Sequence, residues 1–97
     1  MNEVWVFHGT GGRMTSGIFT SRKEAEEFIA NYRLSGSLTK YPVGISVYDW
    51  AVQEKLFEPR KPEQFEPGFI QRFTAATQEH YHYEAGKPSS SEDSELG

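Results

Sequence analysis

The residues most able to do chemistry lie in the run Glu79–Glu84, where histidines alternate with tyrosines between two glutamates. Side chains on a β-strand alternate between its two faces, so His80, His82 and Glu84 are expected to share one face. Two histidines spaced in this way can ligate one zinc ion, and His8, which ends an earlier predicted strand, is a further candidate ligand. The spacing predicts either a metal site in which Glu84 or His8 is the third ligand beside His80 and His82, or histidines along a solvated sheet face. All three histidines would converge if the first and last strands are neighbours.

A glycine-rich segment, Gly9–Gly12, follows the first predicted strand and directly precedes Arg13. The segment superficially matches the oxyanion loop of lipases, but the chain has no Gly-x-Ser-x-Gly motif and is too short for that fold. It also lacks the Gly-Lys-Ser/Thr ending of a phosphate-binding loop. The backbone amides of Gly11 and Gly12 could still hold an anion beside Arg13, and the alternative is a plain hairpin loop.

No set of residues that could act together in catalysis stands out. Ser-His-Asp catalysis would need a histidine beside Asp49 and a serine, and Asp49 is explained by its place in the first turn of a predicted helix. The chain contains no cysteine, which excludes thiol nucleophiles, disulfides and thiolate metal sites. The sequence therefore favours a non-enzymatic role without catalytic residues, and zinc is the one cofactor that its histidines could hold.

Aromatic residues make up 14% of the chain, and most of them are expected to form the core. Four tyrosines are expected to reach the surface instead: Tyr41, Tyr48, Tyr81 and Tyr83. Tyrosine is enriched at protein interfaces because it offers a large contact area with little side-chain entropy to lose. Together with Glu79, the last three of these tyrosines form a predicted surface for a protein partner.

The charge of the chain is small and acidic, since 14 Asp and Glu residues against 10 Lys and Arg residues give a net −4. A body with this balance and no run of basic residues does not attract phosphates, which argues against nucleic-acid binding. The start of the sequence lacks the features of a signal peptide, and no apolar run is long enough to span a membrane. The cytoplasm is therefore the expected compartment, with no membrane association.

The pattern of apolar residues predicts one α+β domain over residues 1–86, with elements in the order β-β-α-β-α-(α)-β. About four strands would form a small sheet, with two or three helices packed on one of its faces. The strands are predicted at Val4–His8, Ser16–Thr20, Ser37–Val43 and Thr77–Glu84. Residues 87–97 are acidic and rich in serine, and they are predicted to form a disordered tail.

The helices are predicted from caps and apolar spacing. Ser21–Glu24 has the form of a capping box for a helix that ends near Arg33. Its buried face is expected to comprise Ala25, Phe28, Ile29 and Tyr32. A second helix would be capped by Ser46 and ended by Pro59. The charged segment Glu58–Gly68, with three prolines, is predicted to be a loop pinned by Phe65, and residues 68–75 fit either a short helix or one side of a strand.

Several short phrases of the sequence are specific enough to indicate a family. They are Val4–Gly9 (VWVFHG), Ser16–Phe19 (SGIF), Tyr41–Gly44 (YPVG), Val47–Ala51 (VYDWA) and Gln78–Glu84 (QEHYHYE). Over residues 4–86 the chain resembles a family of small bacterial proteins of unknown function, some of them suspected immunity proteins for polymorphic toxins. The resemblance implies a stand-alone cytoplasmic domain and carries no assigned activity or catalytic residue.

Two hypotheses about function follow. The first is a non-catalytic protein-binding domain, in its most specific form an immunity protein that neutralises a toxin. If the toxin is a nuclease, we expect Glu79, Glu84 or the region of Glu54 and Glu58 to face its basic cleft. The alternative is a metal- or small-ligand-binding domain built on the His-x-His-x-Glu strand.

Overall fold

A computed structural model describes residues 2–89 of the chain and has one antiparallel sheet with three helices, which confirms the predicted α+β class. The strands are β1 (Glu3–Gly9), β2 (Gly17–Phe19), β3 (Gly36–Pro42), β4 (His80–Glu84) and β5 (Lys87–Pro88). The helices are α1 (Arg22–Asn31), α2 (Val47–Gln53) and α3 (Pro67–Gln71), with a 3-10 turn at Pro62–Phe65 between the last two. The strands lie in the order β2-β1-β3-β4-β5. Among residues 2–89, none of the helices has the length and apolar character needed to cross a bilayer.

The two faces of the sheet differ because side chains alternate along each strand. One face, here called the covered face, packs against α1, and its core consists of Trp5, Phe7, Leu38 and Tyr83 with Ala25 and Ile29 of the helix. The other face is here called the open face, because it does not take part in this core. Its residues are Val4, Val6, His8, Ile18, Ser37, Thr39, Tyr41, His80, His82 and Glu84.

Helix α1 begins as predicted and ends earlier than its apolar pattern indicated. The Ser21 hydroxyl accepts a hydrogen bond from the Glu24 amide at 3.2 Å, which caps the helix. The Glu24 carboxylate accepts a hydrogen bond from the Thr20 hydroxyl at 2.8 Å. Among the described residues it does not accept the bond from the Ser21 amide that would complete a capping box. Tyr32 follows the last helical residue and is 70% exposed, so its prediction as a buried residue is wrong.

Helices α2 and α3 hold a second, aromatic cluster. The Tyr48 ring lies 6.0 Å from Phe57, 6.3 Å from Phe69 and 5.4 Å from Phe73, measured between centroids. Residues 68–75 are helical only to Gln71, and the alternative of a strand there is not what the structure shows. Helix α2 ends at Gln53, before Pro59, because Lys55 adopts a left-handed φ of 62°.

The predicted loop Glu58–Gly68 is ordered around a glutamine. The Gln64 side-chain oxygen accepts hydrogen bonds from the amides of Arg60 at 2.7 Å and Lys61 at 3.0 Å, which forms the 3-10 turn. Phe65 is exposed, so the prediction that it pins the segment to the body is wrong. The segment is instead attached to α2 by the hydrogen bond that the Tyr48 hydroxyl donates to the Gln64 carbonyl at 2.8 Å.

A hairpin joins β4 to β5, where the sequence predicted the start of a disordered tail. Ala85 and Gly86 have φ values of 50° and 87°, the two positive values of a tight hairpin turn, and Glu84 pairs with Lys87 across it. The turn is held against the end of α1, because the Gly86 amide donates to the Leu34 carbonyl at 2.8 Å. The rest of the predicted tail, residues 90–97, lies outside the described residues.

Candidate functional site

The tyrosines predicted to face a partner occupy different environments. Tyr83 is 5% exposed in the core beneath α1, and Tyr48 is 8% exposed in the aromatic cluster. The prediction that these two rings reach the surface is therefore wrong. Both tyrosines can be buried because the hydroxyl of each donates a hydrogen bond to a partner. Tyr81 is half-buried and Glu79 is exposed, so only these two members of the predicted partner surface are accessible.

His80 and His82 lie together on the open face, with ring centroids 5.5 Å apart, but among the described residues the other two predicted ligands, His8 and Glu84, are not grouped with them. Strand β3 lies between β1 and β4, so His8 and His82 are separated by Ser37, which pairs with both of them. Within residues 2–89, no three His, Asp or Glu side chains are grouped in a way that could hold a metal ion. Because β1 and β4 are not neighbours, His8 is not brought to His80 and His82, and Glu84 is likewise not grouped with the histidines among the described residues.

Each histidine is held by a separate local hydrogen bond. The His8 ring nitrogen Nε2 lies 2.7 Å from the Gly12 carbonyl, and His80 Nδ1 lies 2.7 Å from the Gln78 carbonyl. His82 Nδ1 lies 3.2 Å from the Ser37 hydroxyl. These contacts correspond to the solvated sheet face that was the alternative to a zinc site.

The glycine loop is closed by its own backbone. The Gly12 amide donates to the Gly9 carbonyl at 2.9 Å, and the Thr10 amide donates to the Ser35 carbonyl at 2.9 Å. A nest for an anion needs successive amides that point outward, and Gly12 no longer offers its amide. Gly11 has the left-handed φ of 83° that the tight turn requires, and Arg13 is exposed beside it. The structure favours the hairpin loop that was the alternative to an anion site.

A cleft of about 690 Å³ lies at one end of the sheet. It lies where β1 begins, β3 ends and β4 begins, and its other side is formed by α2 and the segment before it. Its volume falls within the roughly 300–1,000 Å³ that is usual for binding pockets. We call it the acidic cleft because carboxylates from three separate parts of the chain, Glu3, Glu54 and Glu79, line it.

Lys40 is the basic residue in the lining, and it is held between two of these carboxylates. Its ammonium lies 3.1 Å from Glu79 and 3.8 Å from Glu3. Three carboxylates and one ammonium leave the lining with a formal charge of −2. The aromatic residues of the lining are Trp50 and Tyr41, both half-buried, and Pro42, Val43 and Ile45 also line the cleft. The cleft therefore combines a negative charge with accessible aromatic surface, which suits a cationic group.

A chain of polar contacts extends from α1 to the cleft and fixes Glu79. The Tyr81 hydroxyl donates to the Glu79 carboxylate. The Arg22 guanidinium lies 3.7 Å from the centre of the Tyr81 ring, and its Nε is 3.2 Å from Glu26. Tyr81 thus links α1 to the edge of the cleft, and this contact explains why Tyr81 is only half exposed.

These contacts keep the charges of the cleft in place. The hydrogen bond from Tyr81, and next that from Lys40, hold the pKa of Glu79 below its ordinary value. The hydrogen bond to Glu79 raises the pKa of Lys40 in return. Glu79 therefore remains a carboxylate, and Lys40 an ammonium, over the whole physiological range of pH.

Sequence reasoning anticipated part of this site. It named Glu79 and the region of Glu54 as acidic positions for a partner, and both lie at the cleft. It missed Glu3, Lys40 and Trp50. A signal for Lys40 existed, because a lysine in the middle of the predicted strand Ser37–Val43 is stabilised by an acidic neighbour such as Glu79 on an adjacent strand. The closeness of α2 to this end of the sheet had no local signal.

The comparison with known families gives one match. A model of a family described as "Domain of unknown function (DUF7710)" matches residues 4–89. No curated protein and no solved structure matches the chain. The description assigns no activity, so the resemblance to an uncharacterised domain family is confirmed and function rests on the geometry above. Since the match spans nearly the whole of the described chain, the protein belongs to the DUF7710 family of domains of unknown function.

Proposed function

We propose that this domain binds another protein without catalysing a reaction, and that the partner docks at the acidic cleft. One observation carries the proposal: carboxylates from the start of β1, the end of α2 and the start of β4 lie around one open cleft with accessible aromatic rings. Aromatic residues with a charged rim are typical of the centre of a protein interface. The partner presents a basic surface, because charge complementarity speeds encounter and selects among partners.

The accessible polar residues support binding rather than catalysis. A general base or nucleophile would have to lie beside a concave site, and none of the three histidines lines the cleft. Lys40, the one basic group there, is committed to Glu3 and Glu79. The fixed charges instead form a preorganised surface, which loses little entropy when a partner binds.

The specific form of the proposal is an immunity protein that neutralises a toxin domain in the bacterial cytoplasm. The support for a toxin as the partner is the resemblance of the sequence to proteins of which some are suspected of that role. The structure adds a reason of charge, since a nuclease toxin has a basic active-site cleft and the acidic cleft of this domain is its electrostatic complement.

Affinity capture from the native host tests this proposal, with three baits of equal concentration. The first is the wild-type protein, and the second is Glu54→Lys, which reverses a charge in the cleft. A lysine at the C-terminal cap of α2 is favourable for the helix dipole, so this variant should fold. The third is Glu27→Lys, which makes the same charge change at an exposed position on α1.

We expect the wild type and Glu27→Lys to recover the same partner in a 1:1 ratio, and Glu54→Lys to lose it. Repeated failure of the wild type to recover any stoichiometric partner would overturn the proposed function. Equal recovery by Glu54→Lys would show that the domain binds a protein elsewhere and that the cleft is not the docking surface.

A further inference from the structure

We propose that the acidic cleft holds the guanidinium of an arginine side chain of the partner. This inference rests on the proposed function, and it adds the chemical group that the cleft recognises.

The first observation is the negative charge of the cleft, whose lining has three carboxylates and one ammonium. Lys40 offsets one carboxylate charge through its contacts with Glu79 and Glu3. Among the described residues, its ammonium forms no salt bridge with Glu54. Glu54 lies at the C-terminal cap of α2, next to the negative end of the helix dipole. This side of the cleft therefore offers an exposed carboxylate that, among residues 2–89, no cation contacts.

The second observation is independent of the carboxylates. Gln78 lines the cleft and is only 8% exposed, and its amide nitrogen donates to the Lys40 carbonyl at 3.1 Å. No group among residues 2–89 donates a hydrogen bond to its Oε1 atom. A buried amide oxygen without a donor is costly, and a ligand that brings an N–H group would satisfy it. The cleft thus has a neutral acceptor as well as charged ones.

The aromatic rings favour a guanidinium over an ammonium. A guanidinium is flat, so it can stack on an indole or phenol ring while its edge donates to a carboxylate and an amide oxygen at once. Trp50 and Tyr41 offer such rings in the cleft. The same protein contains this arrangement already, because Arg22 stacks on Tyr81 at 3.7 Å while it pairs with Glu26.

The position in this cleft that suits an ammonium, between Glu79 and Glu3, is already occupied by Lys40. The Lys40 ammonium lies between Glu79 and Glu3 as a compact charge. The hydrogen bond to Glu79 raises the pKa of Lys40, so the side chain stays charged and keeps this position. A second ammonium would have to be desolvated without the stacking that compensates a guanidinium. The cleft is therefore selective for arginine over lysine.

The test is a titration of the isotopically labelled protein, followed by NMR, with three blocked amino acids: N-acetyl-arginine methylamide, the citrulline analogue and the lysine analogue. Citrulline has the shape of arginine without its charge, so it isolates the charged hydrogen bonds. The signals to follow are the Trp50 indole N–H and the Gln78 side-chain amide. The Trp5 ring centre lies only 5.8 Å from the Lys40 ammonium, so the internal control is instead the side-chain amide of Gln71, at the end of α3 and outside the cleft lining.

We expect the arginine compound to shift the Trp50 and Gln78 signals at millimolar concentration and to leave the Gln71 signal unmoved. The citrulline and lysine compounds should bind about tenfold more weakly or worse, the loss that one charge-assisted hydrogen bond produces. Glu54→Gln should weaken arginine binding by a similar factor, and Glu27→Gln should leave it unchanged.

Equal binding of all three compounds, or no shift with arginine, would overturn the inference. The two proposals fail separately. A partner that is captured in a Glu54-dependent manner while arginine does not bind would leave the docking surface intact and remove the arginine anchor. Arginine binding without any captured partner would remove the proposed protein-binding function and leave the cleft as a guanidinium site.

Discussion

Replacing Tyr83 by phenylalanine should make the stability of the protein less sensitive to alkaline pH. Tyr83 is buried under α1, and its hydroxyl donates to the Glu26 carboxylate. Burial, and next the hydrogen bond to Glu26, raise the pKa of Tyr83 well above its ordinary value of 10.0. The phenol therefore loses its proton in the unfolded chain before it does so in the folded protein.

The direction and size of the effect follow from this difference. The raised pKa contributes stability that is present below pH 10 and is lost as the pH rises further, because deprotonation then favours the unfolded chain. At pH 11, one unit above the ordinary value, the lost free energy of unfolding is RT ln 11, or about 1.4 kcal/mol. Tyr83→Phe has no proton to lose. At pH 8 the substitution should lower the free energy of unfolding by about 1.5 kcal/mol, because one hydrogen bond is missing. This value is the lower end of the range of about 1.5–3 kcal/mol for hydrogen bonds to charged groups, because Glu26 is 35% exposed.

The difference in stability between the wild type and Tyr83→Phe should therefore shrink to nearly zero between pH 8 and pH 11. Urea denaturation at several pH values measures it, and other groups that titrate in this range, such as Lys40 and Tyr81, are common to both proteins and cancel. Tyr32→Phe, at an exposed position, is the matched control and should be parallel to the wild type. A constant difference between wild type and Tyr83→Phe over this range would refute the reasoning.

Three further predictions concern the fold and the histidines. Gly86→Ala should lose at least about 2 kcal/mol of unfolding free energy, because a φ of 87° is strained for alanine and the new Cβ would lie 3.0 Å from the Arg33 Cα. Gly44→Ala, with a φ of 85° and open space around it, should lose only about 1 kcal/mol. Equal losses for the two variants in thermal denaturation would contradict the close approach at Gly86. Leu38→Ala should cost about 2–5 kcal/mol in urea denaturation, and a loss under 1 kcal/mol would mean that the covered face is not packed as described. Calorimetric titration with Zn²⁺ should give no binding tighter than millimolar, because within residues 2–89 no third His, Asp or Glu ligand is grouped with His80 and His82; micromolar binding would show that a third ligand can join them.

The fold was predictable where local signals are strong. The alternation of Trp5 and Phe7 in β1 and the serine caps of α1 and α2 are local features, and the structure has each of them. The β4–β5 hairpin was missed because Ala85 adopts a positive φ that alanine seldom takes, so the sequence carries no strong turn signal before Gly86. Contact with the end of α1 holds this turn, and such a contact cannot be read from neighbouring residues.

The candidate site was less predictable because it depends on distant contacts. The alternation along β4 correctly separated the histidines from Tyr81 and Tyr83, but it did not say which face α1 would cover. The apolar phenol rings were the better indicator of the covered face, and the histidines of the open one. Tyr48 was misassigned for a similar reason, since its neighbours Phe69 and Phe73 are more than 20 residues away in the chain.

Photo-crosslinking in the native host tests the central claim most directly. A benzoylphenylalanine in place of Trp50 puts the reactive group in the cleft, and one in place of Ile18 puts it at an exposed position on the open face. The account predicts that irradiation joins the Trp50-substituted protein to one partner, whose crosslinked peptide contains arginine, and that the Ile18-substituted protein gives no such product. A product from position 18 alone would contradict the account and assign partner binding to the open face instead.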